Sequence, residues 1–159
     1  MSDEPASSVI QPCVFYQDPR AALDWLATAF GFETSLLVTD GAGQVGHAEM
    51  TYLGAVIGVG GEWEGPQLGG ARMRSPASLD GVGTQFVRIR LPAEIDAHCA
   101  RARAAGAVIT QEPEDQFYGD RTYRARDLEG HVWNFTQTNI RLSIAEMAQA
   151  SGLTITARV

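Results

Sequence analysis

Only two cysteines, Cys13 and Cys99, stand in the 159 residues, and their separation suits neither a metal-ligand pair nor a disulfide scaffold. Both are read as reduced thiols. Basic residues are scarce as well: 12 Lys+Arg against 19 Asp+Glu leave a net charge of -7, the wrong sign for neutralising a phosphate backbone or docking on anionic lipid. No nucleic-acid and no membrane partner is expected. No apolar run approaches the roughly 20 residues that cross a bilayer, and Met1 to Ser8 lacks the basic-then-apolar order of a signal peptide. A cytoplasmic protein is the expectation. A Ser-centred nucleophile elbow, a phosphate-binding glycine loop and zinc-finger spacing are missing too, so no reaction announces itself. What is present is a 45% hydrophobic chain long enough for one ordinary core.

The clearest local signal runs from Asp18 to Gly31. Asp18 suits an N-cap, Pro19 the first helical position and Gly31 the left-handed position that ends a helix. Strands are predicted before it (Val9 to Tyr16) and after it (Glu33 to Thr39, Gln44 to Tyr52 and Ala55 to Gly60), which gives the order βαβββ. A second copy follows. Strand Thr84 to Leu91 leads into helix Ala93 to Ala105, whose closing Gly106 stands as far after Ala93 as Gly31 stands after Asp18. Val108 to Thr110, a polar stretch Gln111 to Gln116, then Arg121 to Arg126 and His131 to Gln137 complete the repeat. The expected fold is α+β: tandem βαβββ modules over residues 8–60 and 83–138, forming a cup-shaped mixed sheet in one domain, 1–139. The glycine-rich stretch 61–82 is read as a linker, either a functional flap or an extended connector. In the tail, 140–159, Ser143 and Glu146 have capping-box spacing and Gly152 offers a stop. A short C-terminal helix is expected, its edge of Ile144, Met147 and Ala148 packing on its own domain or on a second subunit.

Alternation along a half-buried strand assigns its faces. Ala48, Met50 and Tyr52 suit the helix side of the first sheet, leaving His47, Glu49 and Thr51 open; Gln11, Cys13 and Phe15 are the matching open positions on the first strand. In the second module Val87, Ile89, Tyr123, Ala125, Trp133 and Phe135 suit the core, which opens Phe86, Arg88, Arg90, Thr122, Arg124, Arg126, Val132 and Asn134. Arg88, Arg90 and Arg124 then form either a clamp for an anionic or carbonyl-rich ligand or cross-strand pairs with acids such as Glu49 and Asp120. His47 beside Glu49 is a metal or general-base candidate, or a half-exposed strand histidine. His98 and His131 have no evident partner and are read as structural or solvated. Trp25 and Phe30 belong to the core, whereas Trp63, Phe86 and Tyr118 are stacking candidates, Trp63 as a cap on the cup from the linker.

The segments Asp18 to Leu26, His47 to Met50 and above all Tyr118 to Trp133 (YGDRTYRARDLEGHVW) resemble the glyoxalase/bleomycin-resistance/extradiol-dioxygenase group, the vicinal oxygen chelate superfamily, in its PhnB-like branch. The resemblance covers Val9 to Thr138. It implies the fold, a usual homodimer, and a ligand cup, in a superfamily that includes metal-dependent isomerases, dioxygenases and thiol transferases beside metal-free proteins that sequester antibiotics. The superfamily's metal positions fall near Gln11, Gly58, Phe86 and Asn134, none of them a histidine or a carboxylate. The resulting expectation is a protein without a metal cofactor that binds a small organic molecule, with Gln11, His47, Glu49, Trp63, Phe86, Arg88, Arg90, Tyr118, Arg124 and Asn134 as its ligand-binding residues. The alternative is a lyase, isomerase or dioxygenase with a divalent metal such as Zn, Ni, Fe or Mn held by His47, Glu49 and Gln11.

Overall fold

The computed structural model describes residues 8–157, apart from the side chain of Leu68. Helix α1 (Pro19–Phe30) begins and ends as its sequence dictates. The Asp18 side chain accepts a hydrogen bond from the Ala21 amide at 3.0 Å, and Gly31, at φ 81°, donates back to the Ala27 carbonyl. Its buried face, Ala22, Leu23, Leu26, Ala29 and Phe30, lies against a mixed sheet in the order β1-β4-β3-β2. Those strands are β1 (Cys13–Tyr16), β2 (Glu33–Thr39), β3 (Val45–Tyr52) and β4 (Ala55–Gly61), with β1 parallel to β4.

The second module repeats this plan. Strand β7 (Phe86–Arg90) pairs in parallel with β10 (Val132–Thr138), then come β9 (Asp120–Arg126) and β8 (Val108–Asp115). Helix α2 (Ile95–Ala104) starts two residues later than Ala93, because Glu94 is in the left-handed region and caps nothing. The Ile95 amide is satisfied instead by the Gln137 side chain, 3.0 Å away on β10, a long-range cap that no local pattern reveals. Strand β8 continues from Val108 through most of the polar stretch, to Asp115. It is the edge of its sheet, where exposed polar side chains and a proline such as Pro113 are tolerated.

The helix sides of both sheets merge into one core. Phe30 meets Trp133 at 5.4 Å and Phe135 at 4.8 Å between ring centres. Polar side chains of the DLEGHVW segment clasp the modules together. Buried Asp127 accepts from the Tyr16 hydroxyl at 2.7 Å and the Trp133 indole at 3.0 Å. Glu129 accepts from the Gln17 and Asp18 amides, and the His131 Nε2–H donates to the Phe15 carbonyl at 2.7 Å. His98 is also structural, and it has partners after all: its Nε2–H donates to the Phe30 carbonyl at 3.1 Å and its Nδ1 accepts from the Tyr123 hydroxyl at 2.6 Å. Phe30 O can only accept, which sets this tautomer.

The linker is not a free connector. It folds into a small hairpin, β5 (Trp63–Glu64) with β6 (Arg72–Met73), and short 3-10 turns. Glu62 holds the Ser75 amide at 2.8 Å, Gln17 reaches the Ser78 hydroxyl at 2.7 Å, and Pro76 is buried. Helix α3 (Ile144–Ser151) forms with its capping box and buries none of its residues. No helix among the described residues is long and apolar enough to cross a membrane.

Candidate functional site

Each sheet turns one face away from the helices, and the two faces differ in chemistry. On the first, central strand β4 contributes Gly58 and Gly60. Gly58 lies between Cys13 and Glu49 in register, and a Cβ there would stand 2.5 Å from the Cys13 sulfur and 3.5 Å from the His47 ring. Glycine therefore makes the room that Cys13 and His47 occupy. Gln11 donates to Glu49 Oε1 at 3.2 Å, and His47 Nε2 lies 3.6 Å from the same oxygen, so Gln11, His47 and Glu49 come together as a small polar cluster. Burial and the Glu49 carboxylate push the Cys13 thiol up, which keeps it protonated at neutral pH.

Beside this cluster the docked linker walls a cavity of about 560 Å³, within the size range of small-molecule pockets. Cys13, Phe15 and His131 line it together with Arg72, Arg74 and Leu79 of the linker. Trp63 is elsewhere. It borders a separate hollow with Val45 and Gly61, because docking through Ser75 and Ser78 presents the later part of the linker, not the hairpin's first strand, to the cavity.

The second face carries the arginines. Asn134 sits between Arg88 and Arg124 in register; it is 5% exposed, and its Oδ1 has no hydrogen-bond partner among the described residues. Arg88 and Arg90 converge on Asp120, at 3.3 and 3.2 Å. Thr136 donates to the same carboxylate at 2.7 Å, and Arg90 also contacts Thr138. Burial works against the Asp120 charge, but hydrogen bonds from Thr136 and Thr138 and the Arg90 guanidinium outweigh it and hold the carboxyl below its usual range. Of the two acids considered for these arginines, Asp120 takes Arg88 and Arg90, and Glu49 takes neither. Arg88 also lies 5.8 Å from the centre of the Tyr118 ring. Phe86 stands 56% exposed at the end of this face, and Arg124 has no ion-pair partner among the described residues.

The residues at the superfamily's metal positions do not suit a transition-metal ion. Gln11, Gly58, Phe86 and Asn134 supply two neutral amides, a glycine and a phenylalanine, and among the described residues no group of three or more His, Cys, Asp or Glu is placed to hold an ion. Sequence reasoning offered the linker as a functional flap but assigned the cap to Trp63 instead of Arg72, Arg74 and Leu79, and it missed the place of His131 at the cavity. The wall depends on contacts between residues 61 positions apart, such as Gln17 with Ser78, and His131 carries no signal beyond its place in the clasp segment.

The model of the Glyoxalase/Bleomycin resistance protein/Dioxygenase superfamily matches residues 9–135. Over 148 residues the chain is 30% identical to the uncharacterized protein Rv0887c of Mycobacterium tuberculosis, covering 92% of this chain and 82% of that one. Among solved structures it is similar to TioX from Micromonospora sp. ML1 (32% identity, TM-score 0.64, 83% of this chain and 99% of that one). It also shares the fold of TnmS3, an antibiotic binding protein from Streptomyces sp. CB03234 (20% identity, TM-score 0.61, 84% and 98%). With nearly all of both modules and the whole clasp segment inside the matched span, the chain belongs to the Glyoxalase/Bleomycin resistance protein/Dioxygenase superfamily.

Proposed function

We propose that this protein binds a small organic molecule, aromatic or anionic in character, in its cup without a metal. The observation that carries the reading is the linker-walled cavity of about 560 Å³, whose Phe15, Met73, Leu79 and Val82 provide apolar contact and whose Arg72 provides charge, Arg74 being paired with Glu64 at 2.6 Å. The donor set at the superfamily's metal positions favours binding over Lewis-acid chemistry. That TnmS3 is an antibiotic binding protein makes such a ligand compatible with the scaffold. A homodimer in which the first face of one copy closes over the second face of the other fits the exposure of Phe86 and Arg124. A cytoplasmic location and the PhnB-like branch complete the reading.

The test uses N-phenyl-1-naphthylamine, a neutral aromatic fluorophore, titrated into the full chain and into Val82→Trp, which fills the cavity from an exposed linker position. Saturable binding at one probe per chain, lost in the variant, is the expected result. Equal binding to both proteins places the probe outside the cavity and contradicts the proposal.

A further inference from the structure

A further hollow, of about 370 Å³, opens on the second face. Arg88, Arg90 and Arg141 line it with Tyr118, Asp120 and Met147, and none of these residues lines the larger cavity. Three guanidinium groups face one carboxylate, an excess of two positive charges in a chain whose net charge is -7. Such a local excess needs an explanation that a solvated sheet face does not provide.

Asp120 does not cancel the site. It is 6% exposed, and both of its oxygens are engaged, by Arg90 on one side and by Arg88, Arg90 and Thr136 on the other. The carboxylate therefore acts from behind the two arginines and fixes where they sit. Arg88 uses only Nη2 in these bonds and Arg90 only Nη1, which leaves the rest of each fork without a protein acceptor among the described residues. Arg141 has no hydrogen-bond or ion-pair partner among them either. It comes from the segment after β10, whose path is fixed where the Asn139 and Ile140 amides both bond to the Gly119 carbonyl. A Cβ on Gly119 would collide with the Ile140 carbonyl, so glycine at 119 is what lets this segment run beside Tyr118.

Resting on the reading of the cup as a small-molecule site, we infer that this hollow is a subsite for a doubly charged oxyanion, the head group of a phosphate monoester type of ligand, with Arg88, Arg90 and Arg141 as its binding residues. The charge count selects a dianion over a single carboxylate. Bidentate guanidinium forks match its oxygens, while Tyr118 and Met147 offer apolar walls for the part of the ligand next to the head. Asp120, with Thr136 behind it, is a positioning residue.

Inorganic phosphate tests the subsite, with acetate as the singly charged control, in calorimetric titrations of the full chain at physiological ionic strength. Phosphate is expected to bind once per chain and at least about tenfold more tightly than acetate. Arg141→Met should weaken phosphate by about tenfold, the value of one charge-assisted hydrogen bond, and leave the unliganded melting temperature unchanged. Asp120→Asn separates positioning from mere charge: it should weaken phosphate although it removes a negative charge, whereas tighter binding would overturn the positioning role. Equal affinity for phosphate and acetate, or phosphate binding that ignores Arg141→Met, overturns the subsite. The neutral naphthylamine probe keeps the two proposals apart. Probe binding without phosphate binding sinks the subsite alone, and failure of both sinks the cup reading with it.

Discussion

The two open faces are the same piece of architecture with different chemistry. Both are built on a βαβββ plan with a parallel outer pair, β1 with β4 and β7 with β10. In the first, the central strand shows Gly58 and Gly60 to the open side, and the space they leave is taken by Cys13 and Phe15 and walled by the linker. In the second, the central strand shows Val132, Asn134 and Thr136, flanked by Arg88, Arg90 and Arg124, and no linker covers it. The repeat supplies two platforms. A few side chains on each, together with a wall attached to only one, decide what either can hold. The helix sides show no such divergence, because both pack into one core through the Tyr16, Asp127 and Trp133 clasp.

If the faces are independent but the clasp is shared, a break in the clasp must damage both. Asp127→Ala leaves the Tyr16 hydroxyl, the Trp133 indole and the Glu129 and His131 amides without their acceptor. A loss of about 3 kcal/mol or more is expected in urea denaturation, together with loss of probe binding at the cavity. Gly119→Ala should act on the second face alone. Its φ of +90° and the collision with the Ile140 carbonyl are expected to cost about 2 kcal/mol while naphthylamine binding to the surviving folded protein is kept. Unchanged stability in either variant would remove that element from the account.

The shared core also sets the pH dependence. Burial holds His98 below its ordinary pKa, so below about pH 6.5 the unfolded chain takes up a proton that the folded chain refuses. Stability is therefore full above that value and falls as the pH drops through the folded pKa. Tyr16, raised by burial and by the Asp127 carboxylate, gives the opposite limb, with stability full below about pH 10 and falling above it. Urea midpoints should decline between neutrality and pH 5, and His98→Gln should flatten that decline. An identical acid limb in the variant would assign it to other groups.

The smallest effects probe the second face directly. Asn134→Val removes a buried acceptor that has no partner among the described residues and is expected to stabilise the protein by up to about 1 kcal/mol; a clear loss in denaturation would reveal a contact for Oδ1. Arg124→Met, at an exposed position without an ion pair among the described residues, should change stability by no more than about 0.5 kcal/mol. A larger loss would make Arg124 part of the scaffold.

Much of this architecture was legible in the sequence because it is written locally. Asp18, Pro19 and Gly31 are cap signals, and alternation alone sorts Ala48 and Met50 from His47 and Glu49. The DLEGHVW segment identified the superfamily without identifying a reaction, and its contacts explain why. Asp127, Glu129, His131 and Trp133 look chemically active as a string, yet they hold one module to the other. A flap role for the linker was legible, but not which of its residues form the wall, since that is set only when Glu62 meets Ser75 and Gln17 meets Ser78. Arg141 likewise joins Arg88 and Arg90 only once the chain has left β10.

The most direct test of metal-free binding is to measure metal content by plasma mass spectrometry and naphthylamine affinity on the same tag-free protein, before and after dialysis against a chelator. The account expects metal well below one ion per chain and the same dissociation constant in both samples. Near-stoichiometric Zn, Ni, Fe or Mn whose removal abolishes binding would contradict it and turn attention to His47, Glu49 and Gln11.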